Sequence, residues 1–170
     1  MMAGIGNWAY VLKSKLAVAG ARRGDDPLRL AHRIRHLGDA YYYAGRWASA
    51  EGCYVEALSI YRLHERTPPL DLANAIRSFA VLKDESGAAE QAQGLWQEAH
   101  DLYVSLQIAA GVAESAARLA LLARRHGDLA RSRASLAEAS AAAATTNDPE
   151  TLQYIRDVTA QLGSVHTTPE

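Results

Sequence analysis

Three glycines set the frame of this chain. Gly45, Gly87 and Gly127 recur at spacings of 42 and 40 residues. Each is followed by the same alternation of side-chain size. Five residues on stand Ala50, Ala92 and Ser132; four further stand Tyr54, Trp96 and Leu136; then come Ala57, Ala99 and Ala139. Before the turn, Leu37, Phe79 and Leu119 correspond, as do Gly38, Ala80 and Ala120. A fixed period of this size is the signature of stacked helical repeats, in which each unit buries its apolar face only against its neighbours.

The stretch 31–62 is the least worn copy. Ile34, Leu37 and Tyr41 fall on one face of a helix that turns about 100° per residue. Gly38 lies on the same side and has no side chain, so a second helix can approach closely there. Gly45 then ends the helix, because glycine takes the left-handed conformation that closes one. A second apolar stripe follows: Trp47, Ala50, Tyr54, Ala57, Leu58 and Tyr61. Two such helices joined by a short turn bury their stripes as an antiparallel pair. Trp96 and Tyr54 therefore read as packing residues, while Trp47 opens its helix and is partly exposed.

Ile34-x-x-Leu37-Gly38-x-x-Tyr41 followed by Ala50-x-x-x-Tyr54-x-x-Ala57 resembles the tetratricopeptide repeat, with Ile34 in place of its Trp and Tyr54 in place of its Phe. The family's terminal proline is missing from its place, and copies two and three lose Leu-Gly and Tyr, with Lys83 and Ala123 standing where Tyr41 does. The longer period is similar to the variety with extended helices, kinesin light chain-like and bacterial signalling proteins among them. The resemblance covers about residues 31–144. It implies an all-α, right-handed α-solenoid of three antiparallel pairs at 25–64, 69–107 and 111–144. An N-terminal segment at 1–24 carries a packing helix, a capping helix lies at 147–163, and a flexible tail follows at 164–170. The packing helix is expected to start from an Asn7 cap after a loose 1–7 and to turn Trp8, Leu12 and Leu16 onto the first repeat, with self-association through that helix as the alternative.

In this family the first helix of each pair lines a concave groove that binds a protein or peptide. By phase that face holds His32, Arg35, His36, Asp39, Tyr42 and Tyr43 in copy one. Copy two places Asn74, Arg77, Ser78, Val81, Asp84 and Glu85 there, and copy three Glu114, Ala117, Arg118, Leu121, Arg124 and Arg125. Arg35, Arg77 and Arg118 form a candidate ladder for an acidic partner, since guanidinium groups capture carboxylates bidentately. Tyr42 and Tyr43 add flat amphipathic surface. The competing reading is a solvated face on which Arg35–Asp39 and Arg77–Asp84 pairs neutralise each other. The carboxylate clamp of chaperone-binding relatives does not carry over: Asp39 stands where an asparagine is expected and Glu114 where a basic residue is.

Other chemistries find little support. The formal net charge of −1 gives no bulk attraction for nucleic acid or an anionic membrane. No apolar run approaches the ~18 residues of a membrane span, and Trp8–Gly20 is broken by Lys13 and Lys15 without a basic start, so it does not read as a secretory signal. The single cysteine, Cys53, forms no internal disulfide, and nothing basic adjoins it, so it reads as a buried, inert thiol in a reducing, cytoplasmic setting. His32 and His36 share a face with only Asp39 as a third candidate ligand, which is a weak metal signal. No nucleophile–base pair, phosphate loop or cofactor motif is evident. The function implied is a non-catalytic protein- or peptide-binding scaffold without metal or cofactor, with homodimerisation or a regulatory role in a signalling system as the alternative. If the size alternation is interhelical packing, Ala99→Arg should unfold the middle of the chain, since a gap that fits a methyl group cannot take a charge; circular dichroism melting as high as wild type would overturn the repeat assignment.

Overall fold

The computed structural model describes residues 3–163. These form eight helices: α1 (Ala3–Ala21), α2 (Pro27–Tyr43), α3 (Trp47–Leu63), α4 (Pro69–Glu85), α5 (Ala89–Ser105), α6 (Ala109–Arg125), α7 (Leu129–Ala144) and α8 (Pro149–Gly163). No strand occurs among the described residues.

The sequence places the helix ends. Asp26 caps α2, accepting from the Arg29 amide at 2.9 Å, with Pro27 in the first turn, where its missing N–H costs nothing. Asp128 does the same for α7 through the Arg131 amide, and Asp148 for α8 through the Thr151 amide at 3.0 Å. Gly45, Gly87 and Gly127 have φ of 71°, 80° and 79°. Past each glycine the next amide reaches back to close the helix: Arg46 to the Tyr41 carbonyl, Ala88 to Lys83 and Asp128 to Ala123, at 2.8–2.9 Å. The turn between α5 and α6 closes identically, Ile108 to Tyr103, but its left-handed residue is Gln107, at φ 57°.

Several boundaries differ from expectation. α1 begins at Ala3 rather than at Asn7, and α6 begins at Ala109 rather than at 111. Pro69 is the first residue of α4, as the pair expected at 69–107 requires, because a proline in the first turn removes no helical hydrogen bond. Asn7 does not cap its own helix; its side-chain amide donates to the Tyr43 carbonyl at 2.8 Å, at the end of α2. Met1, Met2 and the expected tail at 164–170 lie outside the described residues.

Contacts divide the chain into two compact units, Met1–Ala92 and Gln93–Glu170. In the first, α1 packs on α2, α2 pairs with α3, and α4 lies against both α3 and α2. The α2–α3 seam depends on one close approach. A Cβ built on Gly38 would lie 2.6 Å from Tyr54 Cε1, so the Tyr54 ring occupies the space that a side chain on α2 would need. The Tyr54 hydroxyl donates to Asp39 Oδ1 at 2.9 Å. Ala31, Ala50 and Ala57 of the two helices are fully buried, and Ile34, Leu58 and Tyr61 are buried almost as completely.

α1 meets α2 with the face opposite to the one expected. Val11, Ser14 and Val18 are buried, whereas Trp8, Leu12 and Leu16 are exposed. Both sets recur at helical spacing, so periodicity alone does not choose between them. The smaller set permits a closer approach of the two helices, and α1 uses it.

In the second unit, α6 pairs with α7, and α8 lies against both. α6 is alanine-rich because it is buried nearly all round: Ala113, Ala116, Ala117 and Leu121 join Ala139 and Ala143 of α7 and Ile155 and Val158 of α8 in one cluster. Trp96 and Ala99 of α5 are fully buried.

The Gly38–Tyr54 contact makes a sharp prediction. Gly38→Ala should cost about 1–3 kcal/mol by overpacking, lowering the melting temperature by roughly 2–4 °C per kcal/mol for a chain of this size. Combined with Tyr54→Ala it should add far less than its own cost, because the clash is then gone. Additive losses in a double-mutant thermal-melting cycle would refute the contact.

Candidate functional site

The polar face of α2 carries a connected chain of side chains rather than isolated charges. His32 Nε2 lies 3.1 Å from His36 Nε2, with the rings edge-on at 4.5 Å between centroids. Arg35 Nη2 lies 3.1 Å from the same His36 nitrogen. Arginine only donates, so His36 Nε2 accepts; His36 Nδ1 then carries the proton and faces Asp39 Oδ2 at 3.4 Å. Arg35 Nη1 also faces Asp39 Oδ2 at 3.4 Å. Tyr54 completes the set from α3 through Asp39 Oδ1. Asp39 thus gathers donors from Arg35, His36 and Tyr54 while staying about one-fifth exposed.

These contacts set the protonation states. Burial alone would raise the Asp39 carboxyl, but the His36 hydrogen bond, the Arg35 charge and the Tyr54 hydroxyl outweigh it and hold the group below its ordinary value. Burial, then the neighbouring His36 and Arg35, push His32 down, with Asp71 of α4 opposing, so the neutral imidazole is favoured. The Tyr54 hydroxyl is pushed far up by burial and by the adjacent Asp39 charge, which keeps it a donor.

The other candidate residues fall into distinct settings. Tyr42 reaches Glu85 at the end of α4, hydroxyl to carboxylate at 2.6 Å, and its ring stands edge-on to Tyr43, 5.1 Å away. Tyr43 is two-thirds exposed. Asn74 and Arg77 of α4 are half-buried. Asp84, expected on an open face, is buried at 7% exposure. In the second unit the equivalent face of α6 is not open either. Ala117 and Leu121 are buried in the cluster that includes Ile155 and Val158 of α8. Arg118 lies between two rings, its guanidinium carbon 5.8 Å from the Trp96 centroid and 5.6 Å from that of Tyr154. Arg125 is exposed in the last turn of α6, where a cation complements the helix dipole.

Sequence reasoning missed one polar constellation. His100 of α5 bridges two helices: Nδ1 lies 3.0 Å from Ser115 Oγ on α6, and Nε2 lies 3.2 Å from Glu138 Oε1 on α7. The order serine–histidine–carboxylate is that of a nucleophile triad, but this serine is fully buried and its hydroxyl donates to the Gly111 carbonyl at 2.6 Å. The group ties α5 to α6 and α7; no substrate can reach the oxygen. Helical phase on three separate helices gave no signal of it. Cys53 is half-buried rather than buried, and burial, aided by Glu56, pushes its thiol up to about 11, which leaves little thiolate. Among the described residues, no group of three His, Cys, Asp or Glu side chains converges as metal ligands do, and no helix is long and apolar enough to cross a membrane.

The sequence matches no family model and no curated protein. Comparison of structures is positive. The crystal structure of BtubC (BKLC) from P. vanneervenii, a kinesin light chain-like tetratricopeptide repeat protein, aligns over 92% of this chain and 73% of its own, with a TM-score of 0.65 and 19% sequence identity. The fold of this chain is the tetratricopeptide repeat. Within it, the Gly38 and Tyr54 positions are those of the repeat's small and large marks, and Asp39 is tied up by its own neighbours.

The protonation of α2 predicts a pH dependence. A histidine whose folded value is lowered binds its proton more weakly than in the unfolded chain, so its contribution is complete above about 6.5 and is lost as pH falls through the folded value. Asp39 acts in the same direction but only below about 3.8. The melting temperature should therefore drop between pH 7 and 5, and His32→Gln should flatten that slope. Parallel profiles for the two proteins would show that His32 does not titrate as described.

Proposed function

We propose that the protein is a non-catalytic scaffold that docks a protein or peptide partner on the α2–α4 face of its first unit. The observation that carries this reading is the state of the α2 side chains. His32, Arg35, His36 and Asp39 are locked by hydrogen bonds to one another and to Tyr54, yet none is fully buried. Side chains already held in one geometry lose little rotamer freedom on binding. Tyr42 and Tyr43 border them with aromatic surface, and Arg77 on α4 adds a second guanidinium. Tyrosine and arginine are the residue types that dominate binding energy at interfaces.

The partner expected is one with carboxylates among its contact residues. Arg35 is held by Asp39, and Arg77, the guanidinium that α4 contributes to the same unit, is tested separately from it. Affinity capture from a native extract, quantified by mass spectrometry, tests the proposal by comparing wild type with Arg77→Glu and with Tyr43→Ala. A partner captured by wild type should be lost by at least roughly tenfold, about 1.4 kcal/mol, with either substitution, in proteins whose circular dichroism shows them folded. A partner retained equally by all three proteins would remove this face from the reading.

A further inference from the structure

The outward face of α1 carries large apolar side chains. Trp8, Leu12 and Leu16 are 58%, 59% and 67% exposed. They recur every fourth residue and so line one stripe about 12 Å long. At 100° per residue, Lys15 falls on one edge of this stripe and Lys13 on the other. α1 contains no acidic residue. Ala9 and Ala19 are exposed along the same stripe. Their small side chains leave hollows between the large ones, a relief suited to receiving another helix's side chains. The stripe's N-terminal end is braced: the Arg46 guanidinium carbon lies 5.6 Å from the Trp8 ring centroid and 5.2 Å from that of Tyr41.

We infer that α1 docks an amphipathic helix of a partner protein whose apolar seam is bordered on both sides by glutamate or aspartate. Charge decides the occupant. In a helical pair, the residues flanking the seam choose the partner. A second copy of this chain would set lysine edges against lysine edges, whether the helices ran parallel or antiparallel. An acid-flanked helix would meet a carboxylate at each edge.

The test uses full-length protein and two designed helical peptides of about 21 residues with the same leucine seam, one flanked by glutamates and one by lysines, followed by fluorescence anisotropy. The glutamate peptide should bind, the lysine peptide should not, and Leu12→Gln with Leu16→Gln should weaken binding by at least roughly tenfold. Both leucines are exposed, so the fold should survive; should it not, Lys13→Glu with Lys15→Glu decides, because it truncates nothing apolar and should reverse the peptide preference. Equal binding of the two peptides, binding of neither, or an unreversed preference in the charge-swapped protein would overturn the inference. So would a dimer in light scattering that the leucine substitutions abolish, which would name a second copy as the occupant. Adsorption to vesicles containing phosphatidylserine without binding of the glutamate peptide would name a membrane surface instead.

Discussion

A missing side chain holds the first unit together. Gly38 leaves a vacancy on α2 that the Tyr54 ring fills, and the ring's position then carries its hydroxyl to Asp39. One steric fact thus fixes two things at once: the distance between paired helices and the anchoring of the polar chain on the outer face of α2. Asp39, about four-fifths covered, keeps its charge because donors stand beside it. Tyr54, Arg35 and His36 supply them. Packing and surface electrostatics, which are often separable, share a residue here.

The second unit solves the same problem differently. Gly111 of α6 accommodates the Tyr103 ring of α5 much as Gly38 accommodates Tyr54. Seven of the 17 residues of α6 are alanine, and three helices close around it. Where the first unit leaves a polar face beside α2, the second closes the corresponding face of α6 with α8 and places Arg118 between Trp96 and Tyr154. The two units thus offer a ligand unlike surfaces, although their sequences run in phase.

Much of the fold could be read because it rests on local rules. Gly45, Gly87 and Gly127 take positive φ as a helix-closing glycine must, and Asp26 and Asp128 cap the helices that follow them by the same local rules. The small–large–small rhythm works for the same reason, since it records steric fit within a repeat. Legibility ended where two answers had the same period. The sequence of α1 offers two stripes, and only the shape of α2 selects Val11, Ser14 and Val18. Candidate site residues were legible as a phase and not as an environment. Phase placed Arg35, Asp84 and Arg118 on one face, whereas burial of Asp84, the bonds of Arg35 and the rings around Arg118 are products of tertiary packing. The His100–Ser115–Glu138 link was invisible because its members come from three helices and share no spacing.

Gln107 occupies the left-handed position that glycine fills in three other turns. A side chain there carries a strain of about 1–2 kcal/mol, so the closure between α5 and α6 is held against a small opposing force. Helix ends that carry such a force open more often than their neighbours, and opening is local. The junction acts as a soft latch: of the four similar closures, it is the one held shut against a backbone strain that glycine spares the other three.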